Sequence, residues 1–210
     1  TSTCTAEERA RGGRSFIVHH LLEKTDPACD PLGRGNPLII ASGLLADTPV
    51  STAGRLSVGG KSPLTGGTKE ANVGGAAGRK MARLGLKAVI LEDAPDDSRC
   101  RILFIARDRV ELLDAPELAG KTTRPTLRML RKRFGEQVGA LCIGPAGEMK
   151  MSAASIACTD MELRPTRHAG RGGVGAVMGS KGVKAIILDD SGMAMRQPKD
   201  PEKFRDANKR

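Results

Sequence analysis

Short apolar runs closed by small residues dominate the pattern of hydrophobic and polar positions. Pro37-Leu38-Ile39-Ile40-Ala41-Ser42-Gly43 is one such run, and Val138 to Gly147 (Val-Gly-Ala-Leu-Cys-Ile-Gly-Pro-Ala-Gly) is another. Runs of this length bounded by turn residues predict strands. Arg101 to Ala106 and Val110 to Leu113, separated by Arg107-Asp108-Arg109, predict a hairpin. Helical spacing of Leu127, Leu130 and Phe134 predicts a helix over Thr123 to Phe134, with Pro125 in the first turn, where proline is tolerated, and Arg131 on a solvated face. Further helices are expected over Ala10 to Lys24 and, highly charged, over Gln197 to Arg210.

One segment occurs twice. Gly85-Leu86-Lys87-Ala88-Val89-Ile90-Leu91-Glu92-Asp93 returns 97 positions later as Gly182-Val183-Lys184-Ala185-Ile186-Ile187-Leu188-Asp189-Asp190, with six of nine residues identical. The same offset pairs Gly75 with Gly172, Gly78 with Gly175 and Met81 with Met178. Each copy, roughly 36–93 and 138–190, therefore reads as an upstream strand, a glycine cluster, a short segment, an apolar strand and an acidic pair. The fold class predicted is α+β: a duplicated domain of two related β-sheets with a few packed helices.

Composition narrows what such a domain does. The chain has 210 residues, enough for one large domain, and 39% hydrophobic with 28% charged residues excludes disorder throughout. No apolar run approaches the ~18 residues of a membrane helix and no signal peptide opens the chain, so a cytoplasmic protein without membrane contact is expected. Five cysteines form no CxxC, which leaves no zinc or iron–sulfur motif and reads as ordinary reduced thiols. A formal charge of +10 calls for an anionic partner, while the absence of Trp and Tyr, with only 4 Phe, removes the stacking platforms of single-strand binders. Nucleic acid is thus disfavoured against phosphates.

Gly170-Arg171-Gly172-Gly173-Val174-Gly175 fits GxGxxG, but eleven residues separate it from a strand ending near Cys158, where a dinucleotide fingerprint follows its strand directly. Gly60-Lys61-Ser62 lacks the first glycine of a P-loop, Arg55 standing in its place. The two clusters, Gly74-Gly75-Ala76-Ala77-Gly78 and Gly170 to Gly175, admit two readings: paired anion nests supported by Asn72, Arg167, His168 and Arg171, or tight packing turns. No nucleophile, acid–base pair or metal cluster stands out.

Asp30-Pro31-Leu32, Asn36 to Gly43, Lys61-Ser62-Pro63-Leu64-Thr65-Gly66, Ala71-Asn72-Val73-Gly74-Gly75, Ile143 to Glu148 and Ala169 to Lys181 occur in an order that resembles the N-terminal domain of the aldehyde ferredoxin oxidoreductase family. The resemblance implies a single cofactor-platform domain over 1–210, two related sheets carrying tungsten or molybdenum bound by two pterins. It implies cofactor contacts from Arg55, Asn72, Gly74, Arg167, His168, Gly170 and Arg171. The backbone carbonyls of Asn72 and His168 would serve a magnesium ion bridging the pterin phosphates, an oxygen environment that suits that ion.

It also implies that the family's C-terminal helical domains, on this chain's continuation or a separate subunit, supply a 4Fe-4S cluster, the substrate site and the route to ferredoxin. The chain alone is then expected to be inactive, and an oligomer is compatible. Three positions depart from the family pattern: Ala76-Ala77 replaces Tyr-Phe, and His168 replaces a small residue. The opening strands and helical domains of the family are absent from the 210 residues. The alternative is a non-catalytic basic module for phosphates or nucleic acid, or an interaction subunit, derived from that domain.

Overall fold

The computed structural model describes residues 2–209. Its first sheet holds β1 (Leu38–Ser42), β2 (Leu56–Lys61), β3 (Thr68–Val73) and β4 (Ala88–Leu91) in the order β3-β2-β1-β4, with antiparallel pairs throughout. The second holds β5 (Arg101–Ile105), β6 (Val110–Asp114), β7 (Gly139–Cys142), β8 (Ile156–Cys158), β9 (Arg167–Ala169) and β10 (Val183–Leu188) in the order β6-β5-β10-β7-β8-β9. Reading β9-β8-β7-β10 repeats the first sheet strand for strand, and a short helix precedes the last strand of each copy: α3 (Ala77–Arg83) and α6 (Val174–Ser180). The duplication in the sequence is thus a duplication of topology, and the α+β expectation holds. What differs is the β5–β6 hairpin, which joins β10 in parallel through β5, whereas β4 is an edge strand.

The central strands β1, β7 and β10 are buried on two faces, which explains why they read as continuous apolar runs and not as alternation. In β1, Leu38 and Ile40 enter the central core while Ile39 and Ala41 pack under α2 (Arg14–Lys24) with Phe16, Ile17 and Leu21. In β10, Ile186 and Leu188 face the central core, and Ala185 and Ile187 face α4 (Thr123–Phe134) beside Phe104 and Leu130. Helices α3 and α6 touch strands of both sheets and contribute Met81, Val174, Val177 and Met178 to the layer between them. Small residues are required there. A Cβ on Gly179 would stand 1.9 Å from the carbonyl oxygen of Gly147, which lies in the one-turn helix α5 (Pro145–Glu148).

Helix α4 and the hairpin occupy the expected spans. The expected Ala10–Lys24 helix is instead two, α1 (Ala6–Ala10) and α2, because Gly13 adopts φ +50° and donates its N–H to the Ser42 carbonyl at 2.9 Å, which pins the break against the sheet. The terminal helix α7 (Pro201–Asn208) starts later than expected, where the Asp200 side chain caps it ahead of Pro201; Arg210 lies outside the described residues. The glycine-rich stretch after Arg55 is the hairpin β2–β3, closed by Ser62 N–H to the Gly67 carbonyl at 2.9 Å. Arg131 is not simply solvated: its guanidinium pairs with Glu136. All five cysteines are free thiols; Cys142 and Cys158 are buried, and burial pushes the Cys142 thiol up to about 12.

A buried ionic network ties the copies together. Asp190, at the end of β10, accepts from Lys80 and, at 2.8 Å, from Arg83 of α3, and Arg83 also reaches Asp47 at 2.7 Å. Asp47 receives the Arg196 N–H as well, so the tail after β10 is held by the same group. Removing one partner from such a network leaves charge buried without compensation. Asp190→Asn is therefore expected to cost about 3 kcal/mol of folding free energy, read as a lower urea midpoint at unchanged slope; a loss under 1 kcal/mol would mean that water already screens these groups.

Candidate functional site

Each glycine cluster packs against the opposite copy. Gly75 adopts φ +121°, and a Cβ there would lie 2.2 Å from the Thr159 carbonyl, which also accepts the Ala76 N–H at 2.9 Å. In the other copy, Gly172 lies over Lys69, and its carbonyl accepts a hydrogen bond from Ser62 Oγ at 2.8 Å. Thr159 stands 97 positions after Ser62, as Gly172 does after Gly75, so equivalent positions meet in both halves, through different hydrogen bonds. They also fix direction. The end of β3 lies by Thr159 and its start by Gly172, so β3 and β9 run along each other in opposite senses and form a seam of about 20 Å, six residues at roughly 3.3 Å each.

All seven residues suggested by the sequence fall on or beside this seam, Arg55, Asn72 and Gly74 from one copy and Arg167, His168, Gly170 and Arg171 from the other. Asn72 lies on β3 with its side chain occupied: Arg55 Nη1 donates to Asn72 Oδ1 at 2.8 Å, and Asn72 Nδ2 donates to Ser57 Oγ at 3.3 Å. His168 lies on β9, its Nδ1 3.0 Å from Ser155 Oγ. The glycines separate into two kinds. A Cβ on Gly74 would meet nothing within 4 Å and one on Gly170 nothing closer than 4.0 Å, whereas Gly75, Gly172 and Gly173 are pressed against protein. The nest reading thus yields to packing for most of both clusters, since the N–H groups of Ala76 and Gly175 go to protein carbonyls. Gly74 and Gly170 alone present open backbone, one at each end of the seam.

Strand β9 directly precedes the second cluster and escaped the sequence reading, being three residues long. A dinucleotide fold is excluded on other grounds. Strands β7 and β8 separate β9 from β10 and all three junctions are antiparallel, so no parallel crossover joins β9 to β10.

Charge at the seam is one-sided. Among the described residues, Arg55, Lys69, Arg79, Arg167 and Arg171 make no ion pair. The nearby carboxylates are already used, Glu70 by Arg14 and Asp160 by its own loop. Burial works against the charge of Asp160, but the N–H groups of Glu162 and Arg164, the Thr166 hydroxyl and the Arg164 guanidinium hold its carboxyl well below the usual carboxylate range. This cage shapes the turn that delivers Arg167. Lys69, Ser62 and Ser155 were missed by the sequence reading; the 97-residue offset marks Ser62 and Thr159 as equivalent positions but carries no sign of what either touches, and nothing in the sequence signals Ser155.

Residues 2–190 match the family described as aldehyde ferredoxin oxidoreductase, N-terminal domain. The chain belongs to this family. Among its relatives, the tungsten-containing aldehyde ferredoxin oxidoreductase of Pyrococcus horikoshii is 42% identical over 178 residues, covering 84% of this chain and 28% of the relative. The aliphatic sulfonate oxidoreductase, WOR-like subunit, of Pyrococcus furiosus is 30% identical over 195 residues, covering 87% and 30%. The structure of the active site complex BamBC of benzoyl coenzyme A reductase with 1,5 dienoyl-CoA superposes with a TM-score of 0.89 at 29% identity, covering 99% of this chain and 31% of that one. The chain thus spans less than a third of the length of these family relatives.

Two outcomes follow from the geometry. Gly75→Ala and Gly173→Ala are expected to cost about 2 kcal/mol or more, since each adds positive-φ strain to a backbone clash. Gly74→Ala and Gly170→Ala are expected to stay within about 0.5 kcal/mol; chemical denaturation of the four variants measures the contrast. For Asp160, a depressed carboxyl stabilises the folded state above the unfolded value and loses that contribution on acidification. Amide protection of residues 162–166 should therefore persist down to about pH 4 and fall below it, whereas Asp160→Asn should lose it at every pH.

Proposed function

We propose that residues 1–210 form the cofactor platform of a tungsten bis-pterin oxidoreductase that converts aldehydes to carboxylates. The observation that carries this reading is the β3–β9 seam, where open glycine backbone at both ends is combined with cations that no protein carboxylate neutralises. A flat, phosphate-bearing ligand is what such a surface fits: glycine admits ring atoms to van der Waals distance of the main chain, and free guanidinium groups bind phosphate by forked, charge-assisted hydrogen bonds.

Residues take the following roles in this reading. Gly74 and Gly170 underlie the two pterins. Arg171, with Lys69 beside it, binds phosphate or pterin oxygens at one end, and Arg167 and Arg55 do so at the other. The carbonyls of Asn72 and His168, whose side chains are engaged by Arg55 and Ser155, serve a bridging magnesium ion. Among the described residues no three His, Cys, Asp or Glu side chains converge, so the ligands of a tungsten atom would come from the pterins. Bound there, the metal supplies a two-electron sink for aldehyde plus water going to carboxylate, with three protons released. A cluster carried by the helical domains or a second subunit would supply the route for electrons to ferredoxin, and the platform alone is expected to be inactive.

The relatives' names, which state tungsten and ferredoxin, support the choice of metal and acceptor. The test is retention. In the assembled enzyme, Arg171→Ala is expected to lower bound tungsten and pterin per chain at least tenfold, given roughly 1.5 to 3 kcal/mol for a charge-assisted hydrogen bond. Arg107→Ala, which removes the same charge from the turn at the far edge of the second sheet, should leave retention unchanged. Equal losses would mean that general charge, and not the seam, holds the cofactor.

A further inference from the structure

Helix α4 carries Arg124, Arg128, Arg131, Lys132 and Arg133 and no acidic residue. Its buried side, Leu127 and Leu130, is spent on the second sheet, which leaves this basic face toward solvent. Beside it runs the caged loop 160–166, and between the two lies a groove of about 310 Å³ lined by Arg124, Leu127, Arg128, Arg131, Leu163 and Arg164. Leu163 adopts φ +59°, a costly conformation for a branched side chain, and in it the side chain is buried in the groove floor. The cofactor reading uses none of these residues.

We infer that the α4 face is a docking surface for a carboxylate-rich face of another protein. Arg131, Arg133 and Arg164 are engaged by Glu136, Glu117 and Glu162, all carboxylates, while among the described residues Arg124 and Arg128 make no ion pair. Two free guanidinium groups one helical turn apart stand ready for further carboxylates. The apolar floor of Leu127, Leu163 and Pro165 inside this charged rim has the composition of a protein interface.

A nucleic acid fits less well. A sugar–phosphate backbone would leave the apolar floor of Leu127, Leu163 and Pro165 without a matching surface. The one aromatic ring on the helix, Phe134, is stacked on Phe104 at 4.8 Å and offers no free face for a base.

The full chain tests this with two probes, poly-L-glutamate and a 20-base-pair DNA duplex, each titrated at several salt concentrations. Poly-L-glutamate is expected to bind, and a zero-length carbodiimide cross-linker should join it to Lys132. Replacing Arg124→Glu and Arg128→Glu together should weaken binding at least tenfold. Arg107→Glu with Lys199→Glu, an equal change in charge elsewhere, should weaken it less than twofold. Circular dichroism checks folding, and Arg124→Gln with Arg128→Gln replaces the reversal pair should that pair unfold. Absence of binding, or equal loss in both pairs of variants, overturns the proposal. Tighter binding of the duplex, lost with Arg124 and Arg128, assigns the face to nucleic acid instead.

Discussion

The structure depends on how closely two backbones approach where its halves meet. Gly75 against the Thr159 main chain, and Gly172 against the Lys69 and Ser62 side chains, bring the halves to distances that leave no room for a Cβ. This contact draws the edges of β3 and β9 together, and their approach creates the seam. The two short helices between the sheets obey the same demand, since Gly78 and Gly175 press on the segments that enter β2 and β8. Abundant glycine and scarce aromatics, anomalous as composition, are what an interior of this thickness requires.

Electrostatics then divides the molecule into regions of different kind. Within the core, cations are held by protein groups: Lys80 and Arg83 by Asp190 and Asp47, Lys184 by Glu148, and Lys181 by the Gly33 carbonyl. Along the seam they are not matched, and the nearest acids are turned inward by Arg14 and by the 160–166 loop. Unpaired charge held on rigid strands, at the edge of a well-buried core, is pre-organised for an anion and keeps its geometry without one.

Much of this architecture was legible in the sequence. The repeated nonapeptide marks β4 and β10, and the offset that aligns it also aligns the glycines, because both copies face the same packing problem. Helix α4 was visible because a single buried face imposes helical spacing. Strands β2, β3 and β9 were obscured for physical reasons. Gly59 and Gly60 interrupt β2 where neighbouring backbone and the Ile17 side chain crowd in. Half of β3 is polar because it lies at an exposed edge, and β9 is too short to form a pattern. Glycine spacing likewise could not separate Gly74 from Gly75, adjacent residues of which one is open and the other packed. That distinction comes from what stands opposite each of them in the folded chain.

The reciprocal contacts have a further consequence. Residue 75 meets residue 159 and residue 62 meets residue 172, the form that an isologous interface takes when two identical subunits share a dyad. A homodimer of one copy would close both contacts by symmetry and would present two equal ends to any ligand on its axis. Fusion into one chain releases that equality. The β5–β6 hairpin on β10, with no counterpart on β4, and the imidazole of His168, where the first copy has Ala71, are differences that a true dyad forbids.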